Sequence, residues 1–424
     1  MKLKLLLLVL LFPIILFAQT AQDNANAFVN AFMQGNYDQA LSYADSSFKN
    51  KVTSAMLGQL RQGIIQKLGD FKKIISTTLK PELSNQACYV FCGFAKDSLD
   101  FKTVINKDLK VIGLFLTPHP KNSYSANDPN TYNIQSGNLT LPGTLLIPSK
   151  NNHKRLVILV HGSGAHDRDE TLGQIKPFRD LADELLKKGI ASYRYDKRTY
   201  VDPGSLPQNF TVDDEVTDDV LNIIGYFHAN DSFRNYKLYI IGHSLGALMA
   251  PRIAQKADGV LSGLVMLAAP ARQIEDLLLE QAIYLDSLLP DKKRNQALQI
   301  IRKKVNYLHS SAFNENSLPD SLPLNQKASY WLSLGSYKPL QIIQSLSQPV
   351  LILQGEKDYQ VRMTDFNLWK SATKGMPNIR FKSYPELSHI FMPSEGTPGP
   401  KDYVGQKHIP GNVTEDIAEW ILAH

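Results

Sequence analysis

Across residues 134–424, short apolar runs alternate with segments whose apolar residues recur at helical spacing. The apolar runs are Gly143–Pro148, RLVILV leading into His161-Gly162-Ser163-Gly164, Ile190–Tyr195, Leu238–Ile241, Gly263–Leu267, Pro349–Gln354 and Arg380–Tyr384. Helical patterns lie between them at Pro177–Lys188, Asp213–Phe227, Leu245–Ala257, Thr364–Ala372 and Val413–His424. In the second of these, Val216, Val220, Ile223, Ile224 and Phe227 share one side. In the last, Val413, Ile417, Trp420 and Ile421 do so, with Asn412 as the expected N-cap and Glu415 three residues on. Unbroken apolar runs of this length suit strands buried on both faces. Strand-then-helix repetition predicts an α/β architecture: a doubly wound, mostly parallel sheet covered by helices.

One stretch breaks the rhythm. Residues 272–347 read as mostly helical, at Ile274–Leu289, Lys292–His309 and in shorter pieces from Asn325 to Leu346. An insertion between adjacent strands of an open sheet lies above their C-terminal ends, where ligands bind. We read it as a helical cap, the alternative being extra packing on the flank. Residues 23–119 follow a different plan. Two short amphipathic helices part at Gly35-Asn36, a third spans TSAMLGQLRQGIIQKLG, and strands are expected at Phe71–Leu79, Ala87–Phe94, Leu99–Ile105 and Leu109–Leu116. The turns fall at Pro81-Glu82, Lys96-Asp97 and Asn106-Lys107-Asp108. Helices followed by a meander predict a small α+β domain. The polar residues 120–133 read as the linker.

The chain's 424 residues suit two domains. Residues 1–18 have a basic start and an apolar run from Leu5 to Phe17, closed by Ala18. This is the pattern of a signal peptide cut between Ala18 and Gln19. Pro13 and the shortness of the run argue against an uncleaved anchor. The mature protein is therefore expected to be exported, periplasmic or extracellular, with no later membrane span. The formal net charge of +6 is scattered, and no Lys/Arg run with interleaved aromatics suggests a nucleic-acid partner. The two cysteines, Cys88 and Cys92, fall four apart on one strand. At that spacing they lie about 13 Å apart on one face, too far to bridge, so they read as packing residues; a turn there would be needed for a disulfide.

Candidate chemistry centres on Gly242-His243-Ser244-Leu245-Gly246, set between the run Leu238–Ile241 and a helical pattern that Pro251 is expected to kink. A serine at the apex of a strand-to-helix turn sits in strained backbone, so the residues two before and two after must be nearly free of side chain. Ser244 is thus the expected nucleophile. It needs a base, and the base an orienting acid, in the order serine, acid, histidine, each after a strand. Of the four histidines after Ser244, His309 falls in the cap and His408 and His424 lie near the C-terminus. His389, in YPELSHIFMP, follows the strand Arg380–Tyr384, and Asp358, in LILQGEKDYQV, follows Pro349–Gln354. Asp365 opens the next helix and suits its N-terminus. An oxyanion needs two N–H donors. Leu245 offers one, and Ser163 in HGSG the other, with Gly162 or Gly164 one residue away. No HExxH, paired CxxC, Walker loop or GxGxxG appears, so no metal or cofactor is expected.

HGSGAHDRDE, RYDKR, GHSLG, LQGEKDYQV followed by DFNLWK, YPELSHIF and EDIAEWI together resemble the α/β-hydrolase superfamily. More narrowly, they are similar to secreted or periplasmic bacterial carboxylesterases of the dienelactone hydrolase and prolyl oligopeptidase branch. The resemblance covers the last two thirds of the chain. It implies hydrolysis of small-molecule carboxylic esters through an acyl-enzyme, with Ser244, Asp358 and His389 as the triad. Thr199 stands where such relatives have glycine after RYDKR, so that loop is expected to differ. Asp167, Arg168 and Asp169, like Asp196, Lys197 and Arg198, are expected to form ion pairs bracing the oxyanion turn, and His161 and His166 to support the site rather than bind metal. The first domain is similar to the small cystatin or nuclear-transport-factor-like domains that precede some bacterial hydrolases. Two rival readings remain. A peptidase would need an acid for a substrate amine, with Glu275, Glu280 or Asp286 as candidates. A binding protein with a dead site is the other, and the complete triad argues against it.

Overall fold

The computed structural model describes residues 20–82, 85–117, 128–289 and 296–424; the expected leader, residues 1–18, lies outside them. The chain forms two compact units, divided at residues 121/122. Among the described residues no helix is long and apolar enough to cross a membrane.

The first unit opens with α1 (Ala21–Met33), held by a capping box between Thr20 and Asp23. α2 (Tyr37–Ser42), α3 (Ser46–Lys49) and α4 (Ser54–Leu68) follow. The second of the expected helices is two. Asp45 accepts the Phe48 N–H at 2.8 Å and starts α3 as a separate turn. Strands β1 (Phe71–Glu82), β2 (Asn85–Phe94), β3 (Ser98–Ile105) and β4 (Val111–Thr117) form an antiparallel sheet in that order. Pro81 and Glu82, where a turn was expected, instead pair with β2, Glu82 opposite Asn85. Cys88 and Cys92 are free and buried on β2 against Val90, Phe32 and Phe101. Burial pushes the two thiols up, to about 11 and about 12.

The second unit begins within the expected linker. Tyr132 N–H donates to Gly143 O at 2.9 Å and Leu145 N–H to Asn130 O at 2.9 Å, so residues 130–132 already run beside a strand. Strands β5 (Ile134–Ser136) and β6 (Leu139–Leu141) make a small hairpin. The main sheet contains β7 (Gly143–Leu146), β8 (Arg155–Val160), β9 (Ala191–Tyr195), β10 (Lys237–His243), β11 (Leu261–Leu267), β12 (Val350–Gly355) and β13 (Ile379–Tyr384). Their order is β13-β12-β11-β10-β8-β9-β7, parallel except for the edge strand β7. The helices are α5 (Pro177–Lys187), α6 (Arg198–Val201), α7 (Asp218–Ala229), α8 (Leu245–Lys256), α9 (Ile274–Ser287), α10 (Gln296–Leu308), α11 (Ala328–Ser336), α12 (Pro339–Gln344), α13 (Met363–Ala372) and α14 (Gly411–Ala423). Pro251 sits inside an unbroken α8. Asn412 is not the cap of α14, which begins at Gly411 after Pro410.

Alternate residues of each strand face opposite layers. Ile158, Val160, Ile240, Leu264 and Met266 pack with α7, α8 and α13; Val157, Leu159, Tyr239, Ile241 and Val265 pack with α5 and α14. After β8 the chain builds outward to β9, then returns to place β10 on the other side of β8. The C-terminal ends of β8 and β10 therefore flank the switch point, where open α/β sheets bind ligands.

The insertion between β11 and β12 is helical, and it does two jobs. Tyr330, Trp331 and Leu334 of α11 and Ile343 of α12 join the core on the α7/α8 face, and Tyr337 donates its hydroxyl to Leu248 O at 2.8 Å. That part is flank packing. α9 instead lies over the loop after β12, where Gln281 donates to Gln360 O at 3.0 Å and Tyr284 stacks on Tyr359 at 5.5 Å.

Candidate active site

Ser244 joins β10 to α8 with φ 51° and ψ −113°, a left-handed conformation that costs a non-glycine residue strain. The turn is held from both sides. A Cβ on Gly242 would lie 2.5 Å from Gly246 O, and one on Gly246 would lie 2.3 Å from Val160 O. Both positions need glycine because the elbow is pressed against itself and against the end of β8. Ser244 N–H donates to Leu267 O at 2.9 Å, which fixes the apex to β11 and leaves the side chain half-buried.

Asp358 follows β12 and is sealed from solvent. Its Oδ1 accepts the N–H groups of Gln360 at 2.7 Å and Val361 at 2.9 Å. Its Oδ2 accepts from Gln354 Nε2 at 3.1 Å and from His389 Nδ1 at 2.7 Å. A carboxylate can only accept, so the His389 proton sits on Nδ1 and the Nε2 lone pair is free to act as a base. Among the described residues neither Ser244 Oγ nor His389 Nε2 has a hydrogen-bond partner. The structure thus joins Asp358 to His389 directly, and brings Ser244 to the same corner through its neighbour. His243 Nε2 lies 3.1 Å from His389 O, and the two rings are 4.8 Å apart.

The turn after β8 supplies the other side. Gly162 N–H is already taken by Glu170 Oε1 at 2.6 Å, so it is no free donor. The N–H groups of Ser163 and Leu245 have no partner among the described residues. Leu245 is the first residue of α8, where an N–H has no intrahelical acceptor.

A layer of buried charges lies beneath this turn. Arg168 grips Asp196 through Nε at 3.0 Å and Nη2 at 2.8 Å, and reaches Gly143 O at 2.9 Å. Arg194 pairs with Asp169 at 2.8 Å, Lys197 with Glu215 at 2.5 Å and Arg198 with Asp219 at 2.6 Å. Asp167 is different. It accepts the N–H groups of Asp169 and Thr171 and the Thr171 hydroxyl, capping the turn rather than pairing with a cation. Thr199 ties its loop to the oxyanion turn by donating to Gly164 O at 3.1 Å. Burial forces His161 down to about 3, so it is neutral and its Nε2 proton goes to Asp167 O at 3.0 Å. His166 Nε2 meets Ser163 O at 2.8 Å. Among the described residues no group of three His, Cys, Asp or Glu side chains is arranged to hold a metal ion.

Two residues of the site escape sequence reasoning, Glu170 and His243. His243 Nδ1 lies 3.0 Å from Glu170 Oε2. Burial alone would raise the Glu170 carboxyl, but the charge of His243 outweighs it and leaves Glu170 at about 2. Burial likewise opposes protonation of His243, and Glu170 overcomes it, holding the imidazole above its ordinary value. The contact links the oxyanion turn to the elbow. The available signal was an acid closing HDRDE together with a histidine inside the pentapeptide. The other histidines lie elsewhere: His309 is 3.5 Å from both Glu275 and Asp276, His408 is 2.9 Å from Asp180, and His424 is 2.8 Å from Trp420 O. Asp365, in the first turn of α13, accepts from Ala271 N–H and the Arg272 guanidinium.

Residues 151–395 match a family model described as serine aminopeptidase, S33, and residues 25–114 match one described as a protein of unknown function, DUF3887. The chain is 30% identical over 406 residues to the esterase EstD of Thermotoga maritima, covering 94% of this chain and 95% of that one. Among solved structures, Est1E from Butyrivibrio proteoclasticus is similar at 18% identity and a TM-score of 0.46, over 69% of this chain and 98% of that one. A proline iminopeptidase of Mycobacterium smegmatis is similar at 15% identity and a TM-score of 0.46, over the same 69% and 98%. With a family model spanning more than half of the chain, and a relative at this identity matched over nearly its whole length, the chain belongs to the serine aminopeptidase S33 family of α/β hydrolases.

Proposed function

We propose that the protein is a serine hydrolase that cleaves carboxylic esters through an acyl-enzyme. Ser244 is the nucleophile, His389 the general base and Asp358 its orienting acid; the N–H groups of Ser163 and Leu245 receive the oxyanion. The observation that carries this reading is the 2.7 Å bond from His389 Nδ1 to Asp358 Oδ2 beside the left-handed elbow at Ser244. His389 Nε2 takes the Ser244 proton as Oγ attacks the carbonyl carbon. The oxyanion collapses, the C–O bond to the alcohol breaks, and His389 returns the proton to the leaving oxygen. Water then repeats the exchange and releases the acid. The two steps balance with water alone.

The likeness to an esterase over nearly the whole chain supports an ester as the substrate. The description of the matching family favours a second reading, removal of N-terminal residues from peptides. That chemistry needs an unpaired acid near the nucleophile. Glu280 is already paired with Arg272 at 2.7 Å and Arg362 at 3.4 Å, and Glu275 with His309, which weighs against it. Hydrolysis of p-nitrophenyl esters from acetate to laurate, set against aminoacyl p-nitroanilides and with Ser244→Ala alongside, tests the choice. Ester turnover abolished in the variant is the expected result. Turnover of the anilides alone would replace the esterase by a peptidase, and folded protein inactive on both would leave the binding reading. We also infer export, from the pattern of residues 1–18. The N-terminal sequence of protein recovered outside the cytoplasm should begin at Gln19, and an intact Met1 would contradict it.

A further inference from the structure

The turn Gly162-Ser163-Gly164 has each of its carbonyls held by a side chain. Lys197 Nζ donates to Gly162 O at 2.8 Å, His166 Nε2 meets Ser163 O at 2.8 Å, and Thr199 Oγ1 donates to Gly164 O at 3.1 Å. Ahead of them, Glu170 Oε1 holds the Gly162 N–H. Of the three carbonyl donors only Lys197 carries a full charge, and it is 1% exposed. The charge is balanced by Glu215, on a π-helical turn at Asp213–Thr217 that opens the segment leading into α7. The other buried cations of this layer behave differently. Arg168, Arg194 and Arg198 end on carboxylates and on groups of the sheet edge and hairpin, such as Gly143 O and Ser136 O.

A peptide unit is planar, so the C=O of Gly162 and the N–H of Ser163 belong to one rigid plate and point in opposite directions. An ammonium ion bound to the oxygen fixes the plane. It also draws electron density toward that oxygen, and hydrogen-bonded groups polarise one another in this way. We propose that Lys197 is a positioning residue of the oxyanion hole: through Gly162 O it orients and strengthens the Ser163 N–H that receives the developing oxyanion. This role rests on the serine esterase reading above. It differs from plain structural bracing, because its effect grows only as charge appears on the substrate oxygen.

The test compares the wild type with Lys197→Met, and with Lys197→Met combined with Glu215→Gln, which leaves no buried carboxylate unpaired and guards against loss of folding. Active sites are counted by a p-nitrophenyl phosphonate that labels Ser244. kcat and KM are measured on a p-nitrophenyl ester, together with inhibition by a trifluoromethyl ketone, which forms an oxyanion on the serine. The expected loss in kcat per labelled site is about ten- to a hundred-fold, below the 10²–10³ typical of deleting a donor outright. KM should stay within about three-fold, and ketone affinity should fall in parallel with kcat. A structural role alone would lower the number of labelled sites and leave kcat per site unchanged. That outcome in whichever variant folds overturns the assignment of Lys197 while the esterase reading stands. Failure of the wild type to be labelled at Ser244 overturns the esterase reading and this inference with it.

Discussion

Replacing Asp358 by asparagine changes one atom, and the structure dictates which way the amide must turn. Oδ1 accepts two backbone N–H groups, from Gln360 at 2.7 Å and Val361 at 2.9 Å. Asparagine can satisfy them only with its carbonyl oxygen, so its NH₂ group falls where Oδ2 now stands. There it faces His389 Nδ1 and the Gln354 amide, which now lie 2.7 and 3.1 Å from Oδ2. Two donors cannot share that contact. His389 must move its proton to Nε2, the nitrogen that has to be free to accept one from Ser244. A wrong tautomer of this kind costs a serine triad about 10⁴ in kcat, or about 5 kcal/mol of transition-state stabilisation. Little of it should appear in KM, because no substrate contact is lost. Stopped-flow release of p-nitrophenol from the acetate ester gives the acylation rate directly, and circular dichroism checks the fold. A folded Asp358→Asn protein acylating within ten-fold of the wild type would refute the tautomer argument and remove Asp358 from its assigned role.

Three further outcomes are expected. Ser244→Gly relieves the left-handed strain at φ 51°, worth about 1–3 kcal/mol. It should therefore melt several degrees above Ser244→Ala while being equally inactive; equal melting temperatures would contradict the strained elbow. His161 is buried neutral, with its value lowered from 6.5 to about 3. The unfolded chain takes up this proton below 6.5 while the folded chain does not, so stability is complete above pH 6.5 and is lost as pH falls toward 3. At roughly 1.4 kcal/mol per unit the loss is on the order of several kcal/mol. Glu170, lowered from 4.5 to about 2, adds to it at the acid end. Urea melts at pH 7 and pH 5 should differ less in His161→Gln than in the wild type, and an identical pH slope would count against burial as the cause. Cys88 and Cys92, with thiols raised to about 11 and about 12, should not react with a disulfide reagent at pH 8 until the protein is unfolded, whereas rapid native labelling would show an open first-domain core.

The parts of the site legible in the sequence were those that a strand end alone places. Ser244, Asp358 and His389 each follow an apolar run in the expected order, and the two side chains expected to pair, Asp358 and His389, stand 2.7 Å apart. Glu170 and His243 were not legible, because their contact depends on β8 lying beside β10, and strand order is a tertiary fact. Lys197 was expected to brace the oxyanion turn, but its target there, Gly162 O, is 35 positions away in the chain and was not legible. Local misreadings have local causes. Asp45 starts a helix that apolar spacing merged into its neighbour. The hairpin of β5 and β6 has only three residues in each strand, turning at Gly137 with φ 59°, too short for an alternation to register. Asn412 met the composition rule for a cap, but Pro410, with its fixed φ, had already set the start of α14.

The most direct test of the central claim is to trap the enzyme with a p-nitrophenyl alkylphosphonate, digest it and locate the adduct by mass spectrometry. One phosphonyl group per chain is expected on Ser244, with p-nitrophenol released in equal amount, and both should be lost in Ser244→Ala and, on the same timescale, in Asp358→Asn. Modification of another residue, or stoichiometric labelling of Ser244→Ala, would contradict it.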